Sequence, residues 1–304
     1  MTKILRTIAQ YFTAIQTQEG VGATVRRSIG TQKQRNFSPF LLLDHFNVAP
    51  PAGFPDHPHH GQETITYVTH GMIAHEDFTG AKGILKPGDL QFMTAGKAAM
   101  HAEIPVMMDD GSPCIGLQLW VDLPENLKDV EPRYRDLRKN DVPIAHPNDN
   151  LWVKVISGES YGIESIKELA YTPVDYYIFN SDKKGTKFEQ KFPSDYNVFL
   201  YVSEGAITIN GQKFPQYSTI FFNVDGNTIE GSIDTEGKTE FFLIGGKILN
   251  QPIIQHGPFV ETTSDKLLKV FDNYQRGING FERAIGWRSS IRNGIKEEDA
   301  DKHH

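Results

Sequence analysis

A chain of 304 residues with 38% hydrophobic and 11% aromatic residues has apolar surface enough for two ordinary domains or one elaborate one. Its net charge of −7 argues against a protein that coats nucleic acid, so no direct nucleic-acid binding is expected. A single cysteine, Cys114, excludes an intrachain disulfide and suits a reducing, intracellular compartment, and no apolar run approaches the roughly 18–20 residues of a membrane span.

The chain opens with Lys3 and Arg6 and no acid before Glu19; an ordinary N-terminal strand or helix is expected there rather than a transit peptide. Residues 23–28 and 40–46 predict strands joined by the polar stretch 30–36, and 48–54 is rich in Pro and Gly. Residues 62–69 alternate polar and β-branched, Gly71 turns the chain, and 72–78 runs back. Gly80, Gly83 and Pro87-Gly88-Asp89 punctuate, and 90–93, 98–104 and 115–123 supply further strands. Such short strands at regular turns predict an antiparallel barrel or sandwich. Among lone histidines, His45 is read as a core residue, His70 as solvent-facing and His75 as structural.

Residues 123–138 are polar and charged and predict an irregular connector with a short helix. From 151 the strand pattern begins again, over 151–157, 174–179, 196–202, 206–209, 218–222 and 239–244, with Asn210-Gly211 as a hairpin turn. Tyr67-Val68-Thr69-His70-Gly71 is echoed by Tyr201-Val202-Ser203-Glu204-Gly205, an offset of 134 residues. Thr263 or Ser264 can cap a helix carrying Leu267, Leu268, Val270 and Phe271, broken by Gly277 and Gly280. A second helix is expected over 281–291, and the charged tail from Lys296 is expected to be disordered.

The chemistry concentrates between Pro55 and Pro105. Side chains alternate faces along a strand, so His57 and His59 can share one face, and His101 and Glu103 another. Together the pairs offer three imidazoles and a carboxylate, a set for a divalent transition metal rather than for calcium or magnesium. The offset of 134 carries His57, His59 and Glu63 to Lys191, Pro193 and Asn197, and no histidine occurs between His146 and His256. A duplicated barrel in which only the first copy holds metal is therefore expected.

The stretches DHPHHGQET (56–64), AHEDFTG (74–80), PGDLQFMTAG (87–96) and HAEIP (101–105), with HGPFV (256–260), resemble the pirin family of the cupins. That resemblance implies an all-β chain: two antiparallel β-barrel (cupin) domains stacked as a bicupin, with a short C-terminal helical segment. The expected divisions are 1–130, a connector at 131–150, a metal-free barrel at 151–250, and 251–304 as a strap returning to the first barrel, followed by helices and tail. It implies a metal shell of His57, His59, His101 and Glu103 around iron, most often Fe2+, with Glu63 beyond the ligands as a candidate base. Where pirins commonly carry Arg after HPH, this chain has His60, which adjacent-residue alternation should turn away from His59. The implied activity is of quercetin 2,3-dioxygenase type, O2 cleaving a flavonol. The alternative is an iron- and redox-dependent transcriptional co-regulator with transcription-factor partners of the NF-κB kind. Either would act in the cytoplasm, and in the nucleus if the source is eukaryotic.

Overall fold

The structure, a computed structural model, describes residues 2–19, 22–166 and 169–303. The chain forms two compact units. One combines Gln16–Asn36, Phe40–Lys139 and Leu249–His304; the other combines the segment ending at Ile15 with Phe37–Pro39 and Asn140–Ile248.

In the first unit seven strands lie side by side: Arg133–Leu137, Leu90–Thr94, Gln62–His70, Cys114–Asp122, Phe40–Val48, Ala23–Ile29 and Gln16–Glu19. A second sheet centres on Ala99–Met107, which pairs antiparallel with Phe54–His59 on one edge and with Ile73–Asp77 on the other. Between the sheets, Val25, Phe46, Val68, Ile73 and Leu85 form an apolar cluster, as β-branched and aromatic residues do when half-buried strands face one another.

The other unit repeats the design. Its larger sheet runs Ile8–Thr13, Ser218–Phe222, Tyr196–Glu204, Thr239–Lys247, Val174–Ser181, Leu151–Ser157 and Ile144–Asn148. Its smaller sheet holds Lys187–Lys191, Thr228–Ile233, Ala206–Ile209 and Gln212–Pro215. Phe179 stacks on Phe241 at 4.9 Å within the core. Asn210 and Gly211 close a two-residue hairpin with φ of 51° and 76°, the left-handed pair such a turn requires.

Several expectations are corrected. Residues 1–15, placed by sequence with the N-terminal barrel, belong to the unit of the second: Ile8–Thr13 pairs with Ser218–Phe222, and buried Arg6 donates to the carbonyls of Tyr196 (2.7 Å) and Pro193 (2.8 Å). The stretch 131–150 is more than a connector, and 123–138 is not irregular throughout. Arg133–Leu137 is an edge strand on Leu90–Thr94, and Ile144–Asn148 an edge strand on Leu151–Ser157. Charged residues fit an edge because half of their side chains face water. Residues 281–291 form turns rather than a helix, with Gly286 at φ 74° ending any helical run. The tail is built in: Ile295–Lys296 pairs parallel with Val106 and Met107, and Ala300 and His303 are buried. The helix Ser264–Arg276 is as read, capped by Thr263 Oγ1, which accepts from Lys266 N at 3.2 Å, and closed by left-handed Gly277. No described helix is long and apolar enough to cross a membrane.

Candidate metal centre

Strand register assembles the site. On Ala99–Met107, His101 lies opposite His57, and Ala99 opposite His59. Two residues apart on one strand, His57 and His59 share a face, and His101 meets them from the neighbour. The three rings have centroids 4.5–4.9 Å apart, and their ligand atoms all lie within 4.8 Å of one another. His57 Nε2 and His101 Nε2 face each other at 3.0 Å.

The surroundings set the protonation state. His57 Nδ1 lies 2.8 Å from the carbonyl of Pro55, which can only accept; the ring proton therefore sits on Nδ1 and Nε2 keeps its lone pair. Burial lowers the affinity of all three rings for a second proton, and the charge of His57 lowers it further at His59 and His101. Three neutral imidazoles converge on one point with no acid among them. A divalent transition cation is the acceptor that such a donor set takes, so these residues fit a metal.

Glu103, two residues beyond His101 and past a bulge, is buried, but it does not join the group of three. Its carboxylate accepts from Gln118 Nε2 at 3.0 Å and Thr66 Oγ1 at 3.4 Å. Burial pushes its pKa up to about 7, while those two hydrogen bonds pull it down.

Glu63 is placed elsewhere. Thr66 on the same strand reaches Glu103, so odd-numbered Glu63 projects from the other face, where Thr94 Oγ1 donates to it at 2.7 Å. The neighbour that does reach the histidines is Gln62, whose amide nitrogen lies 2.8 Å from His59 Nδ1 and donates to the Pro258 carbonyl at 2.9 Å. Trp120 packs edge-on against His59 at 5.2 Å. Gln62, Gln118 and Trp120 were not singled out from sequence. The available signal was the polar run Gln62, Thr64 and Thr66 at every second position of a buried strand, a polar stripe aimed inward.

His60 turns away from the cluster, as alternation requires. Its Nδ1 contacts the Lys97 carbonyl at 2.7 Å and its Nε2 contacts Glu261 Oε1 at 2.8 Å. Its backbone also bridges to Phe259, so HGPFV packs on this barrel. His75 is buried, 2.9 Å from Gln91 Nε2 and stacked on Tyr134, and burial lowers its pKa to about 4. His70 is exposed. His57, Glu103, Gln118 and Trp120 line one cavity of about 610 Å³, with Arg27 and Arg35 on its wall.

Two cupin barrels, one with three convergent histidines, define a bicupin with a candidate metal centre in its N-terminal copy. Residues 22–121 match the Pirin family and 180–280 match the Pirin C-terminal cupin domain. Pirin from Homo sapiens is 42% identical, the alignment covering 91% of this chain and 95% of that protein; a pirin-like protein from Solanum lycopersicum is 39% identical, covering 93% and 96%. A solved structure of quercetin 2,3-dioxygenase from Acinetobacter baumannii superposes with a TM-score of 0.82 at 26% identity, over 90% of this chain and 98% of that one. The chain belongs to the pirin family.

Proposed function

We propose that this protein is an iron-dependent enzyme of quercetin 2,3-dioxygenase type, which cleaves a flavonol with O2. The observation that carries the reading is the neutral histidine trio opening, through His57, onto a cavity of about 610 Å³. The similarity to the Acinetobacter baumannii dioxygenase supports it. His57, His59 and His101 would hold the metal, with Glu103 as the fourth donor from the same strand as His101. Iron, when bound, would supply a Lewis acid that keeps a flavonol deprotonated, and a one-electron couple suited to O2.

The chain's own residues do the rest. Trp120 holds the His59 ring in place and contributes an apolar wall to the cavity. Arg35, exposed on the cavity wall, offers a positive charge to an anionic substrate; Arg27 is already clamped by Asp44 at 2.7 and 2.8 Å. Gln118 and Thr66 fix the Glu103 carboxylate. Glu63, facing the other side of its strand, takes no part in this reading.

A second reading, the redox-dependent transcriptional co-regulator, is favoured by one contact. Gln62 touches both His59 and the Pro258 carbonyl, so a change at the histidines can reach the 249–304 segment. One experiment separates the two: metal content of the untagged protein, followed by quercetin and O2 consumption by the iron-loaded form. Iron near one per chain with O2-dependent loss of quercetin supports the enzyme. Bound iron without turnover, and with partner binding that differs between Fe(II) and Fe(III), supports the co-regulator. A protein that retains no metal sinks both, and a Glu103→Ala chain with unchanged iron and turnover removes Glu103 from the shell.

A further inference from the structure

The second barrel has one histidine, His146 on its edge strand, and so no histidine trio for a metal, yet one end of it is open. A cavity of about 930 Å³ lies there, walled by the loop and short hairpin around 157–166, the start of Val174–Ser181, and the chain from Glu189 to Tyr196. The repeat offset of 134 carries His57 and His59 to Lys191 and Pro193, and both line this cavity. The cavity therefore holds, in this barrel, the place that the histidine pair holds in the other.

The registers show how the space arose. Trp120 lies opposite Thr64; the offset carries Thr64 to Val198, and the residue opposite Val198 is Gly245. The indole position is thus a glycine here. A Cβ on Gly245 would lie 2.5 Å from the Phe192 ring, which occupies that space. Gly158 is tighter still. A Cβ there would lie 2.4 Å from Tyr177 Oη and 2.6 Å from Asp175 Oδ1.

Asp175 is the unusual residue of this wall. It shares a strand face with Tyr177 and Phe179, both part of the buried core, so its carboxylate points inward. Tyr177 accepts from the Glu159 N–H at 3.1 Å and directs its own proton to Asp175. Phe192 packs edge-on to Tyr177 at 5.7 Å, and half-buried Tyr196 lines the same cavity. Among the described residues no lysine or arginine pairs with Asp175, although Lys191 lines the same cavity, and Glu189, on the same wall, is already paired with Lys3 at 2.6 Å. Burial raises the Asp175 carboxyl to about 7, the behaviour of an acid without a counter-ion.

We propose that this cavity is a second, metal-independent binding site for a small organic amine, its ammonium held by Asp175 and its apolar body by Tyr177, Phe192 and Tyr196. An ammonium supplies the cation that the carboxylate lacks and gains from aromatic faces. A neutral ligand leaves the carboxylate without a counter-ion, and an anion is repelled by it. The volume is in the range of about 300–1,000 Å³ typical of small-molecule sites.

The test uses the full chain, iron-loaded and after chelation, titrated calorimetrically with phenethylamine, 2-phenylethanol and 3-phenylpropanoate. The expected result is saturable phenethylamine binding, at least tenfold tighter than that of the alcohol, unchanged by chelation and weakened at least tenfold by Asp175→Asn. Absent binding, equal affinity for amine and alcohol, binding that is lost with the metal, or unchanged affinity in Asp175→Asn each overturns the proposal. Should Asp175→Asn fail to fold, Tyr196→Leu decides: a several-fold loss of amine affinity supports the site, and unchanged affinity overturns it.

Discussion

Gln62 and Glu63 are adjacent residues that one strand sends to opposite faces, and their chemistry follows from that alone. Gln62 abuts His59, so Gln62→Ala is expected to lower metal affinity by roughly 10–100-fold, the usual effect of removing a group that orients a ligand. Glu63→Gln keeps an acceptor for Thr94 and should leave both metal content and turnover within about twofold. Competition with a chromophoric chelator measures the first, and steady-state O2 uptake the second; a large kinetic loss in Glu63→Gln would return Glu63 to the site. Asp175 makes a pH prediction. Its carboxyl is raised from 3.8 to about 7 by burial, so between those values the unfolded chain ionises while the folded chain holds its proton. Folding is therefore penalised progressively as pH rises through that window, and the penalty is complete above it. Asp175→Asn should stabilise the chain at pH 8 by on the order of 1–3 kcal/mol, allowing for partial exposure, and by much less at pH 4. Denaturant midpoints at the two pH values check the sign.

At the scale of elements, the chain between Phe54–His59 and Gln62–His70 must turn sharply while both strands hold site residues. Gly61 makes that turn at φ 73°, and a Cβ there would lie 2.1 Å from the Val260 carbonyl, so only glycine fits. Its own carbonyl accepts from the buried Lys128 Nζ at 2.9 Å, and Lys128 is paired with buried Asp122 at 2.5 Å. Removing one partner of a buried pair leaves a bare charge. Lys128→Met should therefore cost about 3–5 kcal/mol, and it should weaken metal retention because the turn between His59 and Gln62 loses its anchor. Adding Asp122→Leu should recover much of the stability. Thermal unfolding of the single and double variants shows whether the charge or the packing matters; equal loss in both would mean that packing dominates.

At the scale of the whole chain, the ends do not stay with their nearest barrels in sequence. The segment before Ile15 completes the sheet of the unit built on 140–248, and Leu249–His304 completes the unit built on 40–139. Deleting residues 1–15 uncovers the edge of Ser218–Phe222 and leaves the Tyr196 and Pro193 carbonyls without Arg6. Each buried acceptor left unmade costs about 1–3 kcal/mol, so a fall in Tm on the order of 5–10 °C is expected. Metal content, governed by the other unit, should be unchanged. Calorimetry and elemental analysis of the truncated chain test both halves; loss of metal with the deletion would contradict the assignment.

The sequence by itself determined the parts that depend on local rules. Strand alternation and turn residues placed the central strands of both larger sheets to within a few residues, the HPH and HAE pairs marked three imidazoles that the structure brings together, and the absence of histidine between His146 and His256 marked the second barrel as one without that trio. Tertiary structure decided what depends on partners distant in the chain. Only register shows that Trp120 abuts His59, that Gln118 takes Glu103, and that Glu63 faces Thr94. Only packing turns the charged segment Arg133–Leu137 into an edge strand and orders the tail along Val106 and Met107. A face can be read from a period of two, but the side chain that meets it is chosen by contacts between residues far apart in the chain, as Val106 is from Ile295, and no local pattern encodes those.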